Sequence, residues 1–399
     1  MRVALLSSMT ILDGTGQENR MPVSKGSLGM RSVLQFQADM ALRMGAGRII
    51  VWTDGLTDAL LPVQHRVEQE GARFYAVDSV RTLSGLISAS DEVLVVQDGL
   101  VPDPLLTEQI LGPHSGVLGL PVDPAIAQGF ERIDANRAWS GVMMLRGAAV
   151  ERLAELPDDV EPASALLRIG LQSGTRIVDL PPDSTRQNGW ILVRDARDLQ
   201  FAHDWHLKRE LNAAPWSRPG TALADRMAAK MAGPAFAKGY SDRSALVLAA
   251  VVIFLAIAMG WFVSVGAGFL GLMVAAILLA LAAAFRRLRG EKPAQARLRE
   301  QGVLLALDFA IILLTTFPWP DPDWANDIFA PVMLIGLIRL ASILPGQKLM
   351  SPVSDRGALC AILALAGFVN LLHPAIMLGA TGIMIVIFFG LNRAKITQV

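Results

Sequence analysis

The chain has 399 residues, 52% of them hydrophobic, and its 36 basic side chains balance 36 acidic ones. A net charge of zero lacks the basic footprint that nucleic-acid binders leave, so nucleic acid is not an expected partner. The single cysteine, Cys360, excludes an intramolecular disulfide and a cysteine-based zinc site, and the length supports two domains.

Met1–Ser8 is a short Val/Leu run that reads as a first buried strand and not as the apolar core of a signal peptide. Strands are predicted over Arg2–Ser7, Arg48–Thr53, Arg73–Val77 and Glu92–Gln97. Helices are predicted over Ser32–Met44, Leu60–Glu70 and Pro104–Ile110, between or after them. That alternation implies a mostly parallel, doubly wound α/β sheet, which binds ligands at the carboxyl ends of its strands. Asp98 stands at such an end, after the apolar run Val93–Val96 and before Gly99. A carboxylate there can hold a divalent cation against the phosphates of a nucleotide. Asp-Gly is also a common turn pair, so spacing alone leaves a plain strand-ending turn as the alternative.

His203 and His206 are spaced i, i+3 on a polar helix with Asp204 and Lys208, and share a face. A solvated helix end is the expectation, ahead of a metal site. Gly220–Gly239 places Leu223, Met227, Met231 and Phe236 among Lys and Arg. This suits an amphipathic helix in the headgroup layer of a membrane, or a linker helix packed on the soluble domain.

A seam follows near Tyr240. Ser244–Val265, Gly266–Phe285, Gly302–Pro318, Pro331–Leu344, Ala358–Leu372 and Pro374–Leu391 have membrane-helix character, giving five or six spans. Arg286, Arg287, Arg289, Lys292, Arg297 and Arg299 place the loop after the second span in the cytoplasm. Pro318–Ala330, with Asp321, Asp323, Asp327, Trp319 and Trp324, reads as an outer loop. Lys348 and Arg356, then Arg393 and Lys395, return the chain inside. A multi-pass protein of the bacterial inner membrane with both termini cytoplasmic fits these charges. The basic cluster itself is expected to set topology and touch anionic lipid, at about 1 kcal/mol per charge.

Asp308 lies about two helical turns into the third span, and Arg339 lies at a similar depth in the fourth. Ionisable residues within spans are expensive and are usually paired or functional. The two are expected to face each other, as a site or as a structural ion pair. Asn370, in the fifth span, is expected to make an interhelical hydrogen bond.

Several segments of the first half resemble the sugar-phosphate nucleotidyltransferases, a GT-A-like fold. Val33–Thr53 (VLQFQADMALRMGAGRIIVWT) is similar to that family's first long helix and following strand. Val93–Asp103 (VLVVQDGLVPD) is similar to its metal-carboxylate strand. Ala138–Arg146 (AWSGVMMLR), with Ser140 and Gly141, is similar to its N-x-G-x-Y-x-F strand. Trp190–Leu199 (WILVRDARDL) is similar to its closing segment. The resemblance implies that Asp98 and Asp195 are the metal carboxylates, for Mg2+. The family's Gly-rich phosphate loop follows its first strand directly. Here Gly14 and Gly16 come later, followed by Arg20, Pro22 and Lys25, the right residue types at altered spacing. By the resemblance Gly14 and Gly16 would cradle the nucleotide, and Arg20 and Lys25 would act on its phosphates.

The order of head (residues 1–206), linker (207–243) and spans (244–399) resembles a fusion of inositol-phosphate cytidylyltransferase with CDP-alcohol phosphotransferase. In that fusion the head makes a CDP-alcohol and the membrane domain passes its phosphoalcohol to another hydroxyl. The phosphotransferases carry D-x-x-D-G-x-x-A-R and then G-x-x-x-D-x-x-x-D, whose carboxylates bind two metal ions. The corresponding stretch, Arg289–Arg297 (RGEKPAQAR), puts Arg289, Lys292 and Pro293 where Asp, Asp and Gly belong. Asp308 falls near the third carboxylate, and no fourth follows.

The resemblance implies phospholipid head-group biosynthesis, a nucleotide or nucleotide-alcohol and a membrane lipid as partners, and a homodimer through the spans. Asp308 and Arg339 remain as catalytic candidates in the former active-site cavity. The alternative is a non-catalytic pseudoenzyme that scaffolds an active lipid-synthesis partner.

Overall fold

The computed structural model describes residues 1–9, 11–12, 21–55, 60–156, 160–181, 183–184, 188–211, 214–240, 242–290, 293–316, 324–343 and 355–396. The chain forms two compact units, Met1–Leu207 and Lys208–Val399.

In the first unit, β1 (Arg2–Ser7) leads into two short hairpins. These are β2 (Ile11–Leu12) with β3 (Met21–Pro22), and β4 (Ser27–Leu28) with β5 (Arg31–Ser32). A 3-10 turn, Val23–Lys25, separates them. Then follow α1 (Val33–Arg43), β6 (Arg48–Trp52), α2 (Leu61–Gln69), β7 (Arg73–Val77), α3 (Val80–Leu86), β8 (Glu92–Val96), β9 (Leu100–Val101) and α4 (Pro104–Leu111). β10 (Gly116–Pro121), α5 (Val122–Ala127), β11 (Arg137–Arg146), α6 (Ala148–Leu153), α7 (Pro162–Gln172), β12 (Ile177–Asp179), β13 (Ile191–Leu192) and α8 (Ala196–Leu211) complete it.

The main sheet has seven strands in the order β12-β10-β11-β8-β1-β6-β7. All of its neighbours pair in parallel except β11, which runs antiparallel to both β10 and β8. The four strands expected from sequence form one end of the sheet, β8-β1-β6-β7. β10 and β12, at the other end, were not expected.

β1 shows why the apolar runs are continuous. Ala4 and Leu6 enter one core with Leu34, Ala38 and Met40 of α1, while Val3 and Leu5 enter another with Trp139, Leu166 and Val150. A strand covered by helices on both faces needs apolar residues at every position. α1 begins with a capping box. The Ser32 hydroxyl accepts the Gln35 N–H at 3.1 Å, and the Gln35 side chain accepts the Ser32 N–H at 2.8 Å.

The second unit is helical: α9 (Pro219–Ala237), α10 (Asp242–Phe262), α11 (Val265–Leu288), α12 (Pro293–Thr316), α13 (Trp324–Ile343), α14 (Arg356–Phe368) and α15 (Leu372–Ile396). Two of them, α10 and α11, are long and apolar enough to cross a membrane. Gln301–Thr316, Ile328–Ala341, Arg356–Phe368 and Leu372–Phe388 are shorter apolar helices at the other four expected stretches. α10 carries exposed Val247, Phe254 and Phe262, the last 85% exposed. Against α11 it presents small residues: a Cβ on Gly271 would lie 2.6 Å from that of Ala256. Close backbone approach through small residues is how helices associate where lipid removes the hydrophobic drive.

One expectation is corrected here. Asn370 is exposed and lies in the turn after α14, not within a helix–helix contact. It has φ +56°. The Leu371 N–H donates to Ala366 O at 2.8 Å and the Asn370 N–H to Gly367 O at 3.4 Å, the two bonds of a Schellman cap. α9 is part of the second unit and buries Ala222, Ala224, Ala228, Ala232 and Ala235, so its packed face is its alanine face. Leu223 and Met231 stay exposed.

Candidate active site

β8 ends at Val96, and Gln97 and Asp98 lead into Gly99 at φ +73°. A Cβ on Gly99 would lie 2.6 Å from the Val193 carbonyl oxygen, so both conformation and space require glycine. That close approach belongs to the β9–β13 ladder, in which Leu192 faces Leu100 and the Val193 N–H donates to Gly99 O at 3.0 Å. The ladder brings the segment leading into Asp195 alongside the turn that carries Asp98, although the two are far apart in sequence.

The carboxylates are already engaged with backbone. Asp98 Oδ2 accepts the Met9 N–H at 2.8 Å, holding the chain that leaves β1 over the end of β8. Asp195 Oδ1 accepts the Asp198 N–H at 2.8 Å and so caps the first turn of α8. Asp198 is buried and accepts the Arg194 N–H at 3.2 Å.

Below this turn lies a polar floor. The buried Gln37 of α1 donates from Nε2 to Gln97 O at 3.0 Å and to Leu100 O at 2.8 Å. The Gln97 N–H donates to Gly141 O at 2.8 Å, and the Ser140 carbonyl accepts from Trp190 Nε1 at 2.8 Å. Gln97 Oε1 and Ser140 Oγ are buried atoms with no hydrogen-bond partner among the described residues. Buried polar groups are usually satisfied, so two unsatisfied ones beside a carboxylate call for a ligand or water. Gln37 was not legible in the sequence, because a glutamine within a helix reads as a solvent-facing residue.

Lys25 ends the 3-10 turn and is half-buried. Val23 of that turn comes within 3.0 Å of where a Cβ on Gly99 would sit, so the turn belongs to the Asp98 end of the sheet. Gly14, Gly16 and Arg20 lie outside the described residues.

The histidines are not at a solvated helix end. His206 is buried, edge-on to Phe36 at 5.7 Å, with Nε2 3.4 Å from Nη2 of Arg31. His203 Nδ1 lies 2.9 Å from Ser27 O and 3.3 Å from the Gly29 nitrogen. The two rings fasten α8 to the β4–β5 hairpin. Arg31 also pairs with Asp39 at 3.1 Å, which in turn takes Arg66 at 2.9 Å.

In the helical unit, Arg339 Nε donates to Asp308 Oδ2 at 2.8 Å. Arg356, which reads in sequence as a loop charge, is buried and donates from Nε to Oδ1 at 2.7 Å and from Nη2 to Oδ2 at 3.1 Å. Both oxygens of Asp308 are therefore held by guanidinium groups, which is no environment for a cation. Asp355 caps α14 through the Gly357 and Ala358 N–H groups, and its other oxygen accepts from the Thr221 N–H at 3.0 Å. The basic cluster is also partly internal. Arg287 pairs with the buried Asp225, Arg289 pairs with Asp242 at 3.2 Å, and Arg286 is buried. Among the described residues no group of three or more His, Cys, Asp or Glu side chains is placed to hold a metal.

No protein-family model matches the chain, and no curated protein matches it. Among solved structures it is similar to a chain from Bacillus anthracis named as a glucose-1-phosphate thymidylyltransferase, crystallised in complex with a sucrose. The match has 14% identity and a TM-score of 0.37, and covers 51% of this chain and 93% of that one. At that score the likeness carries no weight of its own. The first unit's assignment as a mostly parallel α/β sheet rests on its strand order and pairing.

Proposed function

We propose that this is a membrane protein of phospholipid head-group biosynthesis, with a nucleotidyltransferase-like head on a phosphotransferase-like helical domain that lacks the family's metal carboxylates. The observation that supports the reading of the head is the β9–β13 ladder, which sets the segment leading into Asp195 beside the turn that carries Asp98. The ligand is a nucleotide or a nucleotide-alcohol. Two carboxylates and the oxygens of a diphosphate are the hard donors Mg2+ prefers. Asp98 and Asp195 would hold that ion, and its chemistry would be to neutralise phosphate charge. Lys25 supplies a cation on the same end. The helical domain crosses the bacterial inner membrane in six spans, with both termini cytoplasmic, and pairs with a second copy through those spans.

A second reading, a pseudoenzyme that scaffolds an active lipid-synthesis partner, is favoured by one observation. Asp308 is neutralised by Arg339 and Arg356, so a metal cannot be held there in the family's manner.

Calorimetry on the detergent-solubilised full chain separates the two readings. The first expects Mg2+-dependent binding of a nucleoside triphosphate or nucleotide-alcohol that is lost in Asp98→Ala. An absence of binding across the nucleotides, from protein with a cooperative melt, would overturn the first reading and turn the search to membrane partners.

A further inference from the structure

The opposite end of the sheet holds an open cleft of about 290 Å³. Arg146, Arg152 and Arg176 line it together with Ser115, Ser173 and Thr175, over an apolar floor that includes Leu145 and Ala149. No carboxylate is among its lining residues. The carboxylate nearest by strand pairing is Glu92, opposite Arg146 in the β8–β11 ladder, and it is bonded to Arg2 at 2.9 Å.

Three elements converge to place the cations. Arg146 is the last residue of β11, Arg152 lies on α6, and Arg176 immediately precedes β12. Arg152 is oriented by a 2.8 Å bond from Nη1 to Ser173 Oγ, whose own hydrogen goes to Ile169 O at 2.7 Å. Gly170 lets α7 pack directly on the floor, since a Cβ there would lie 2.8 Å from the Leu145 side chain. A concave site lined by charges of one sign concentrates counter-ions, and guanidinium forks match phosphate geometry. The volume sits at the low end of small-ligand clefts, roughly 300–1,000 Å³. Six residue steps along β8 separate this end from Asp98, about 20 Å.

We propose that this cavity binds a small organic phosphomonoester, with its phosphate on Arg146, Arg152 and Arg176 and its carbon skeleton over Leu145, at a site separate from Asp98. The test is calorimetric titration of the solubilised full chain with glycerol 3-phosphate, inorganic phosphate and glycerol at constant ionic strength. Glycerol 3-phosphate is expected to bind, more tightly than inorganic phosphate, and glycerol is not.

The double variant Arg146→Gln/Arg176→Gln is expected to weaken binding by about tenfold or more, with Asp98→Ala leaving it unchanged. Arg146→Lys/Arg176→Lys keeps the charge and loses the fork, and is expected to fall between wild type and the glutamine variant. It also serves if the glutamine variant fails to fold. Absence of binding to the wild type, undiminished binding to the arginine variants, or loss of binding in Asp98→Ala would each overturn the proposal.

Discussion

Arg356 Nε lies 2.7 Å from Asp308 Oδ1, across 48 residues of chain, and both side chains are buried. With Arg339 on the other oxygen, one carboxylate carries two guanidinium groups inside an apolar bundle. Removing one partner of a buried pair leaves an uncompensated charge, at a cost of about 3–5 kcal/mol. Asp308→Ala strands two cations and is expected to lower the thermal midpoint of the solubilised protein more than Arg339→Gln, whose side chain is partly exposed. Exchanging the charges of Asp308 and Arg339 brings a new arginine against Arg356, so the swap is expected not to restore stability. A melt equal to wild type in the swap would show that Arg356 is not coupled to the pair.

Gly99 sets the relation between the two head carboxylates. Gly99→Ala forces a methyl against Val193 O at a positive φ. The expected cost is about 1–3 kcal/mol from the backbone conformation, with more from the clash. The β9–β13 ladder is expected to open, and nucleotide affinity to fall with Asp98 and Asp195 intact. Calorimetry and a melt on the same preparation read both effects, and unchanged affinity would detach the ladder from the site.

Asn370 occupies a left-handed position at the end of α14. Asn370→Gly is expected to be neutral or slightly stabilising, whereas Asn370→Val is expected to cost about 1–2 kcal/mol. A melt of the two variants checks this. If Asn370 instead made an interhelical bond through its side chain, glycine would be the worse replacement.

Asp91 is buried, and its carboxyl is held below the usual range, first by the Ser88 N–H and then by the Met1 ammonium. A depressed pKa in the folded state adds stability that is fully present above the unfolded value, about 4. It is lost as pH falls through the lower, folded value. The Asp91→Asn variant is expected to melt below wild type at pH 7, with the gap narrowing below about pH 4. Asp179, lowered by its bond with Arg137, follows the same sign, with a smaller effect because the pair is largely exposed. A gap that held constant from pH 7 to pH 3 would remove the linkage.

The sequence by itself determined the apolar helical stretches and the strands β1, β6, β7 and β8, while the seam it marks near Tyr240 falls inside the second unit, which begins at Lys208. Each of these is a local pattern: a continuous apolar run bounded by turn residues, or a long apolar helix. It also marked Asp98, because a carboxylate after a buried strand is a local signature. Tertiary structure alone decided the rest. β12 is a strand only because β10 lies beside it, and its three residues carry no period. The segment leading into Asp195 lies beside the Asp98 turn through a two-residue ladder that no propensity announces. Arg356 reads as a loop charge until folding closes it onto Asp308, and Gln37 reads as a surface residue until α1 lies over the end of β8. Buried polar contacts of this kind depend on which elements become neighbours, because a hydrogen bond needs its partner within about 3 Å, and separation along the chain says nothing of that distance.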